Sequence, residues 1–279
     1  MDSPPSSEAL PPPPPPDGAL TSLAAGVGTT ALELFVAARD LYSVFFRTLY
    51  YVARGTRDRR VIMQQAYEMG NRSVFFLIVT MGFIGTILVY QGGLQLKRVV
   101  PDFTQLGANF LQLLVRDFAA SIGALMLSTR IGAGIAAELG SMVVTEQVDA
   151  LRMCAADPID FLVAPRFVAG VVMTGFLVVL GGAVAFFAGA LTAHLAFEVP
   201  YSTFITAHAV RLGDLLTGIA KCIAYGAAIP IVSSHSGLST FGGSEGVGWA
   251  TTRAVVNSSL AIIMLNFFIS GAALLVFPP

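Results

Sequence analysis

The sequence predicts an all-α polytopic membrane protein. About five transmembrane helices follow an N-terminal interfacial amphipathic helix, and a short charged helix projects from between two of them. Three observations carry this. Of 279 residues, 55% are hydrophobic and only 12% charged, with a mean hydropathy of +0.74, whereas soluble domains carry about 25% charged residues. Ser73–Leu96, Phe167–Phe197 and Ala254–Pro279 hold no charged residue and Phe118–Ala137 holds only Arg130; each approaches or exceeds the ~20 residues a helix needs to cross a bilayer. Between them, Arg130–Arg166 gathers five acids (Glu138, Glu146, Asp149, Asp157, Asp160) and three arginines (Arg130, Arg152, Arg166).

Along the chain, residues 1–28 read as a disordered tail. Eight prolines fall within residues 1–20, including the run Pro11–Pro16, a composition biased to polyproline II. No basic region precedes an apolar one, so the pattern is not that of a signal peptide. Residues 29–70 read as an interfacial helical segment. Glu33, Asp40, Arg47 and Arg54 recur every seven residues, which on a helix makes one polar stripe. Leu34, Phe35, Leu41, Phe45, Phe46 and Leu49 cover much of the remainder. Such a helix suits the headgroup plane or a seat against the spans. Arg54, Arg57, Arg59, Arg60 and Arg72 then precede the first span.

The body of the chain, 71–279, is expected to span near 73–96, 116–137, 166–197, 212–235 and 254–277. The fourth span is the weakest, since Asp214, Lys221 and Pro230 fall in it. Eleven of the sixteen Lys and Arg lie in the N-terminal region and in the loops Arg130–Arg166 and Ser236–Arg253. By the positive-inside rule these are cytoplasmic, and the N-terminus with them. Small residues at four-residue spacing (Ser128, Gly132, Ala136, Gly140; Gly181, Ala185, Gly189, Ala193) allow close helix approach in lipid, either within the chain or between subunits.

In the projecting segment, 141–160, Thr145 is expected to cap a short helix with Glu146 in its first turn. Glu146, Asp149 and Arg152 then share one polar face. Asp157-Pro158 reads as the start of a second short helix. Gly242–Gly248 (GGSEGVG) reads as a turn.

The chemistry is sparse. The only lysines, Lys97 and Lys221, follow Leu and Ala, so no phosphate loop of the GxxxxGK[ST] type exists. No nucleophile–base pairing stands out, and neither Cys154 and Cys222 nor the three histidines form a metal or disulfide pattern. No catalytic site, cofactor or metal is expected, and no nucleic acid among the partners. If the chain transports at a cost in energy, that energy must come from a separate ATPase or an ion gradient. The latter needs titratable groups at membrane depth, for which Arg116, Asp117 and Lys221 are candidates. Arg116–Asp117 are placed near the outer edge of the second span, where water reaches them. Lys221 is expected to snorkel. A chain of acids suited to proton relay is missing.

Two long motifs settle on a family. RIGAGIAAELGSMVVTEQVDAL, followed by Ala156-Asp157-Pro158 and Pro165-Arg166, resembles the signature of the MlaE/YrbE permeases, as does GGSEGVGWATTRAVVNSSLAIIMLNFF at Gly242–Phe268. The resemblance runs from about residue 55 to the C-terminus and includes Gln91-Gly92 and Arg116-Asp117, where the family carries Arg-Glu. The proline tail has no counterpart in it. The resemblance implies a homodimeric permease of an ABC transporter in a bacterial inner membrane, moving phospholipid or another hydrophobic lipid. Its implied partners are a cytoplasmic ABC ATPase, a periplasmic MCE-domain protein and a small STAS-domain protein. It makes Glu138, Thr145, Glu146, Gln147, Asp149, Leu151, Arg152, Asp157 and Pro158 the ATPase-coupling residues. Tyr90, Gln91, Leu94, Leu113, Arg116 and Asp117 become candidates for a lipid cavity. Gly242, Gly243, Glu245, Gly246, Gly248, Thr251 and Arg253 form the cytoplasmic loop motif. The residues themselves leave two other readings open, a non-transporting membrane scaffold and an ion-coupled secondary transporter.

Overall fold

The computed structural model describes residues 39–54, 59–99, 103, 105–205 and 210–276. The proline tail and the start of the interfacial segment lie outside these residues. The chain divides into two compact units, Met1–Ser43 and Val44–Pro279. Of the first, the described residues 39–43 are helical, with Arg39 paired to Asp40 at 3.2 Å.

The described elements are helices: α1 (39–54), α2 (Arg59–Val99), α3 (Leu106–Val144), α4 (Gln147–Met153), α5 (Ile159–Phe197), α6 (Tyr201–Phe204), α7 (Leu212–Leu238) and α8 (Gly243–Val276). Five of them, α2, α3, α5, α7 and α8, are long and apolar enough to cross a membrane. The chain is thus the five-span helical membrane protein its composition predicts.

The spans are longer than the apolar runs. α2 has 41 residues and α3 and α5 have 39 each, against ~20 for a 30 Å hydrocarbon layer. Charge bounds the apolar stretch but does not stop a helix, since Arg, Lys and Glu are good helix formers. Two expectations are therefore corrected. α3 begins at Leu106, about 15 Å before Arg116 at 1.5 Å per residue, and not at the expected start of 116–137. The expected Ser236–Arg253 loop shrinks to Ser239–Gly242, because α7 and α8 run on to either side.

Both small-residue stripes are seams within the chain. On α3, Ser128 and Ala136 are fully buried, and a Cβ on Gly132 or Gly140 would meet Ser233 Oγ of α7 or Thr240 Oγ1, each at 2.9 Å. On α5, Gly181, Ala185 and Gly189 receive Leu77, Met81, Gly85 and Val89 of α2. α8 is the least covered of the five spans, and Phe267, Phe268 and Leu275 along it face outward.

α3 carries two π turns, Leu114–Phe118 and Ser128–Gly132, and α5 opens with a third, Ile159–Val163. π turns inside α-helices widen one face and cluster at functional positions. Here the first holds Arg116 and Asp117, and the second holds Arg130.

Candidate coupling and lipid sites

The projecting segment is built by two left-handed residues. Glu146 (φ 59) ends α3 and opens α4 at once: its N–H bonds Val143 O at 3.1 Å and its carbonyl accepts the Ala150 N–H at 2.9 Å. Contrary to the expectation, Thr145 does not cap; its hydroxyl donates back to Ser141 O at 2.9 Å. A Thr inside the last helical turn finds that carbonyl closer than any free N–H ahead. Ala155 (φ 59) ends α4 in the same way, and Ala156 N–H reaches Leu151 O at 3.1 Å, a Schellman closure. Asp157 then starts a helix, taking the Ile159 N–H on Oδ1 at 3.0 Å. That helix is the whole of α5, not a second short piece. Nothing after Pro158 breaks it, so it runs on into the third span.

α4 buries Val148, half-buries Leu151 and exposes Gln147, Asp149, Arg152 and Met153, the last at 89%. Asp149 and Arg152 pair at 3.0 Å on the exposed face. Both flanks of α4 are anchored. Arg47 Nη2 and the Tyr51 hydroxyl, both on α1, donate to Asp157 Oδ2 at 3.0 and 2.8 Å, which seats this part of α1 against the start of α5. Burial works against the Asp157 carboxylate, but the Ile159 N–H, the Tyr51 hydroxyl and the Arg47 and Arg152 charges outweigh it and hold its pKa below the ordinary carboxylate value. On the other flank, Arg166 of α5 is 4% exposed and bonds Glu138 of α3 and the Leu162 carbonyl, each at 2.6 Å. Glu138 is thus a clamp between α3 and α5 beneath the projecting helix.

The loop motif is split. Gly242 and Gly243 have φ of 85 and 77, a region other residues enter only at a cost, and they make the turn. Glu245, Gly246, Gly248, Thr251 and Arg253 lie in the first turns of α8, where Glu245 and Arg253 are exposed and Thr251 bonds Gly248 O at 2.7 Å. The expected seven-residue turn is therefore two glycines. The rest is helix because nothing after Gly243 demands a positive φ.

The six cavity candidates do not line one pocket within a single chain. Tyr90, Gln91, Leu94 and Leu113 face outward from α2 and α3, and a 420 Å³ cleft between the two helices takes Leu113 together with Gly92, Gln95 and Asn109. Arg116 and Asp117 turn toward α7. Arg116 Nη1 reaches Asp214 Oδ1 at 3.4 Å, and Gln112 Nε2 donates to Asp214 Oδ2 at 3.1 Å. Asp117 Oδ1 accepts the Lys221 ammonium and the Ser121 hydroxyl. Lys221 is fully buried, so the expectation that it snorkels is overturned. With a carboxylate within reach across the helix pair, an ammonium at membrane depth is better served by pairing than by extension to water. A second polar link follows one turn on, where Tyr225 donates to Asn266 of α8 at 3.0 Å. Gln112 and Asn266 were not singled out from the sequence, and Asp214 was noted only as weakening the fourth span. The signal for Asp214 was spacing: it and Lys221 stand two turns apart on one face of α7, opposite in sign to Arg116 and Asp117.

Five spans, a projecting helix with ties on both flanks and charges paired between spanning helices define a multi-pass membrane protein. The chain belongs to the MlaE permease family, whose model matches residues 62–272. It is 34% identical over 241 residues to a probable ABC transporter permease protein of Synechocystis, covering 82% of this chain and 89% of that protein. It is 32% identical over 228 residues to the chloroplastic protein trigalactosyldiacylglycerol 1 of Arabidopsis thaliana, covering 79% and 63%. It is 28% identical over 258 residues to the intermembrane phospholipid transport system permease protein MlaE of Haemophilus influenzae, covering 90% and 97%. As a permease subunit it is not itself an enzyme.

Proposed function

We propose that this chain moves phospholipid or another hydrophobic lipid between a bacterial inner membrane and a periplasmic MCE-domain partner, powered by a separate cytoplasmic ABC ATPase. Two copies form the permease, with a small STAS-domain protein as an accessory on the ATPase side. The N-terminus and α4 face the cytoplasm, on the side where arginines outnumber the basic residues of the other loops. The Haemophilus relative's name supplies the substrate class.

The observation that carries the reading is the anchoring of α4. A short helix with an exposed face, flanked by the Glu138–Arg166 and Asp157–Arg47 ties among the neighbouring α1, α3 and α5, transmits a push instead of absorbing it. ATP-driven closure of two ATPase subunits against α4 then moves α3 and α5 together. α3 carries Arg116 and Asp117 in its other half, and with Tyr90, Gln91, Leu94 and Leu113 they are the residues assigned to the cavity between two copies. Narrowing that cavity expels the lipid. Glu146, Gln147, Asp149, Leu151 and Arg152 meet the ATPase, with Gly242–Arg253 beside them.

Reconstitution tests this directly. In proteoliposomes holding the permease with its ATPase, ATP hydrolysis transfers labelled phospholipid to the MCE partner, and Arg116→Ala lowers the lipid retained on purification. Unchanged lipid content in that variant would remove Arg116 from the site.

A further inference from the structure

The largest of the described cavities, 840 Å³, opens at the α4 end of the bundle among α2, α3 and α8 and shares only Glu138 and Thr251 with the sites above. We infer that it is a phosphate-binding site at headgroup depth, formed by Arg72 and Arg130 and filled by the headgroup of a phospholipid in the adjoining leaflet. This inference is independent of transport and of the cavity proposed between two copies.

Four features point there. Arg72 and Arg130 line the cleft, and neither has a carboxylate within ion-pair distance among the described residues. The π turn at Ser128–Gly132 presents Arg130 so that Nε donates to the Arg72 carbonyl at 3.2 Å, which leaves both terminal nitrogens for a ligand. A guanidinium offers its donors as a planar fork suited to two phosphate oxygens. Ser73, 1% exposed, also lines the cleft, and its hydroxyl has no partner; a buried hydroxyl left unbonded is costly unless a ligand or water completes it.

The acids of the cleft do not cancel this charge. Glu138 is held by Arg166 at 2.6 Å; Glu68 keeps its charge, with only the neutral Gln64 donating to it at 3.5 Å, so the two arginines outnumber it. The floor is apolar, with Met69 and Ile135 buried, as a glycerol backbone and chain ends require. A Cβ on Gly134 would meet nothing within 4 Å, so the entrance is open.

Depth selects lipid over other phosphates. Arg72 is the last charge before the uncharged run Ser73–Leu96, and Arg130 stands level with it through the 3.2 Å bond. Both therefore sit where the hydrocarbon layer begins, at the level of lipid phosphates. Arginines at such a boundary reach headgroups rather than pay for burial.

The test uses the full chain, delipidated in mild detergent and titrated with dioleoylphosphatidylglycerol, with dioleoylglycerol (which lacks the phosphate) or with inorganic phosphate, read by native mass spectrometry. Wild type is expected to keep one phosphatidylglycerol per chain that Arg72→Gln/Arg130→Gln loses, with affinity at least about tenfold weaker, on the scale of two charge-assisted contacts removed. Arg72→Lys/Arg130→Lys, which keeps the charge, is expected to retain binding in part, and unchanged elution on size exclusion shows that both variants fold. Arg116→Ala leaves this lipid in place, so failure here and failure of the cavity assignment are told apart. Displacement by millimolar inorganic phosphate would keep the phosphate site but assign its source to the solvent. Equal phosphatidylglycerol binding by wild type and the Gln variant, or equal binding of dioleoylglycerol, would overturn the inference.

Discussion

Removing the acid of the Asp117–Lys221 pair should destabilise the protein more than removing the base. The lysine side chain is 1% exposed and the aspartate 39%. Asp117→Asn leaves an ammonium buried between α3 and α7 with no carboxylate, and breaking a buried pair in this way costs about 3–5 kcal/mol. Lys221→Met leaves a carboxylate that is part-exposed and still bonded by Ser121 at 3.0 Å, so its cost should be nearer ~1–2 kcal/mol, the range for a lost charge-assisted bond. Asp117→Asn/Lys221→Met removes both charges at similar volume and should recover most of the loss, since a buried pair is often replaceable by uncharged groups at little cost. Thermal unfolding of the purified chain, followed by fluorescence-detected size exclusion, resolves the three variants. At about 2–4 °C per kcal/mol for a domain of this size, Asp117→Asn should fall by roughly 6–20 °C and the double variant by much less. A double variant less stable than either single, or Asp117→Asn as stable as wild type, would refute the assignment of this pair as a buried tie between α3 and α7.

Three further outcomes are expected. Glu146→Lys/Asp149→Lys should insert normally yet lose ATP-driven lipid transfer or ATPase assembly; wild-type transport and complex yield would remove α4 as the docking element. The Asp157 anchor should show an acid limb: its carboxyl is held below the ordinary value, so its stabilisation is complete above an unfolded pKa of about 3.9 and is lost as pH falls through the lower folded value. Asp157→Asn should therefore flatten the fall in thermal midpoint below about pH 4, and an unchanged acid limb would contradict the anchor. Gly85→Ala should destabilise by ~1–3 kcal/mol through overpacking, because its Cβ would fall within 3.0 Å of three backbone atoms of Ala185; Gly175→Ala, with nothing within 4 Å, should be neutral or stabilise by up to ~1 kcal/mol. Equal midpoints for the two would reject the α2–α5 seam.

The class of fold was legible because bilayer thickness imposes a length on each apolar run, and Ser73–Leu96 or Phe167–Phe197 can satisfy it in only one way. Helix ends were less legible. A charged residue such as Arg130 or Glu138 marks where the membrane ends, but propensity lets the helix continue, so α3 and α8 overran their predicted limits. Glu146 and Ala155 turn the chain through left-handed conformations that their residue types do not announce. Asp157-Pro158, by contrast, was read correctly as a helix start because both residues carry their mechanism locally. Partners across the bundle were hidden for a different reason: Arg47 finds Asp157 across 110 positions and Lys221 finds Asp117 across 104, and no local pattern encodes such separations.

The central claim is that this chain is a lipid permease driven through α4 by a separate ATPase. Native mass spectrometry of the complex extracted from its own membrane in nanodiscs tests it most directly. Two copies of this chain with two ATPase subunits and bound lipid are the predicted result. A single copy carrying neither ATPase nor lipid would contradict it.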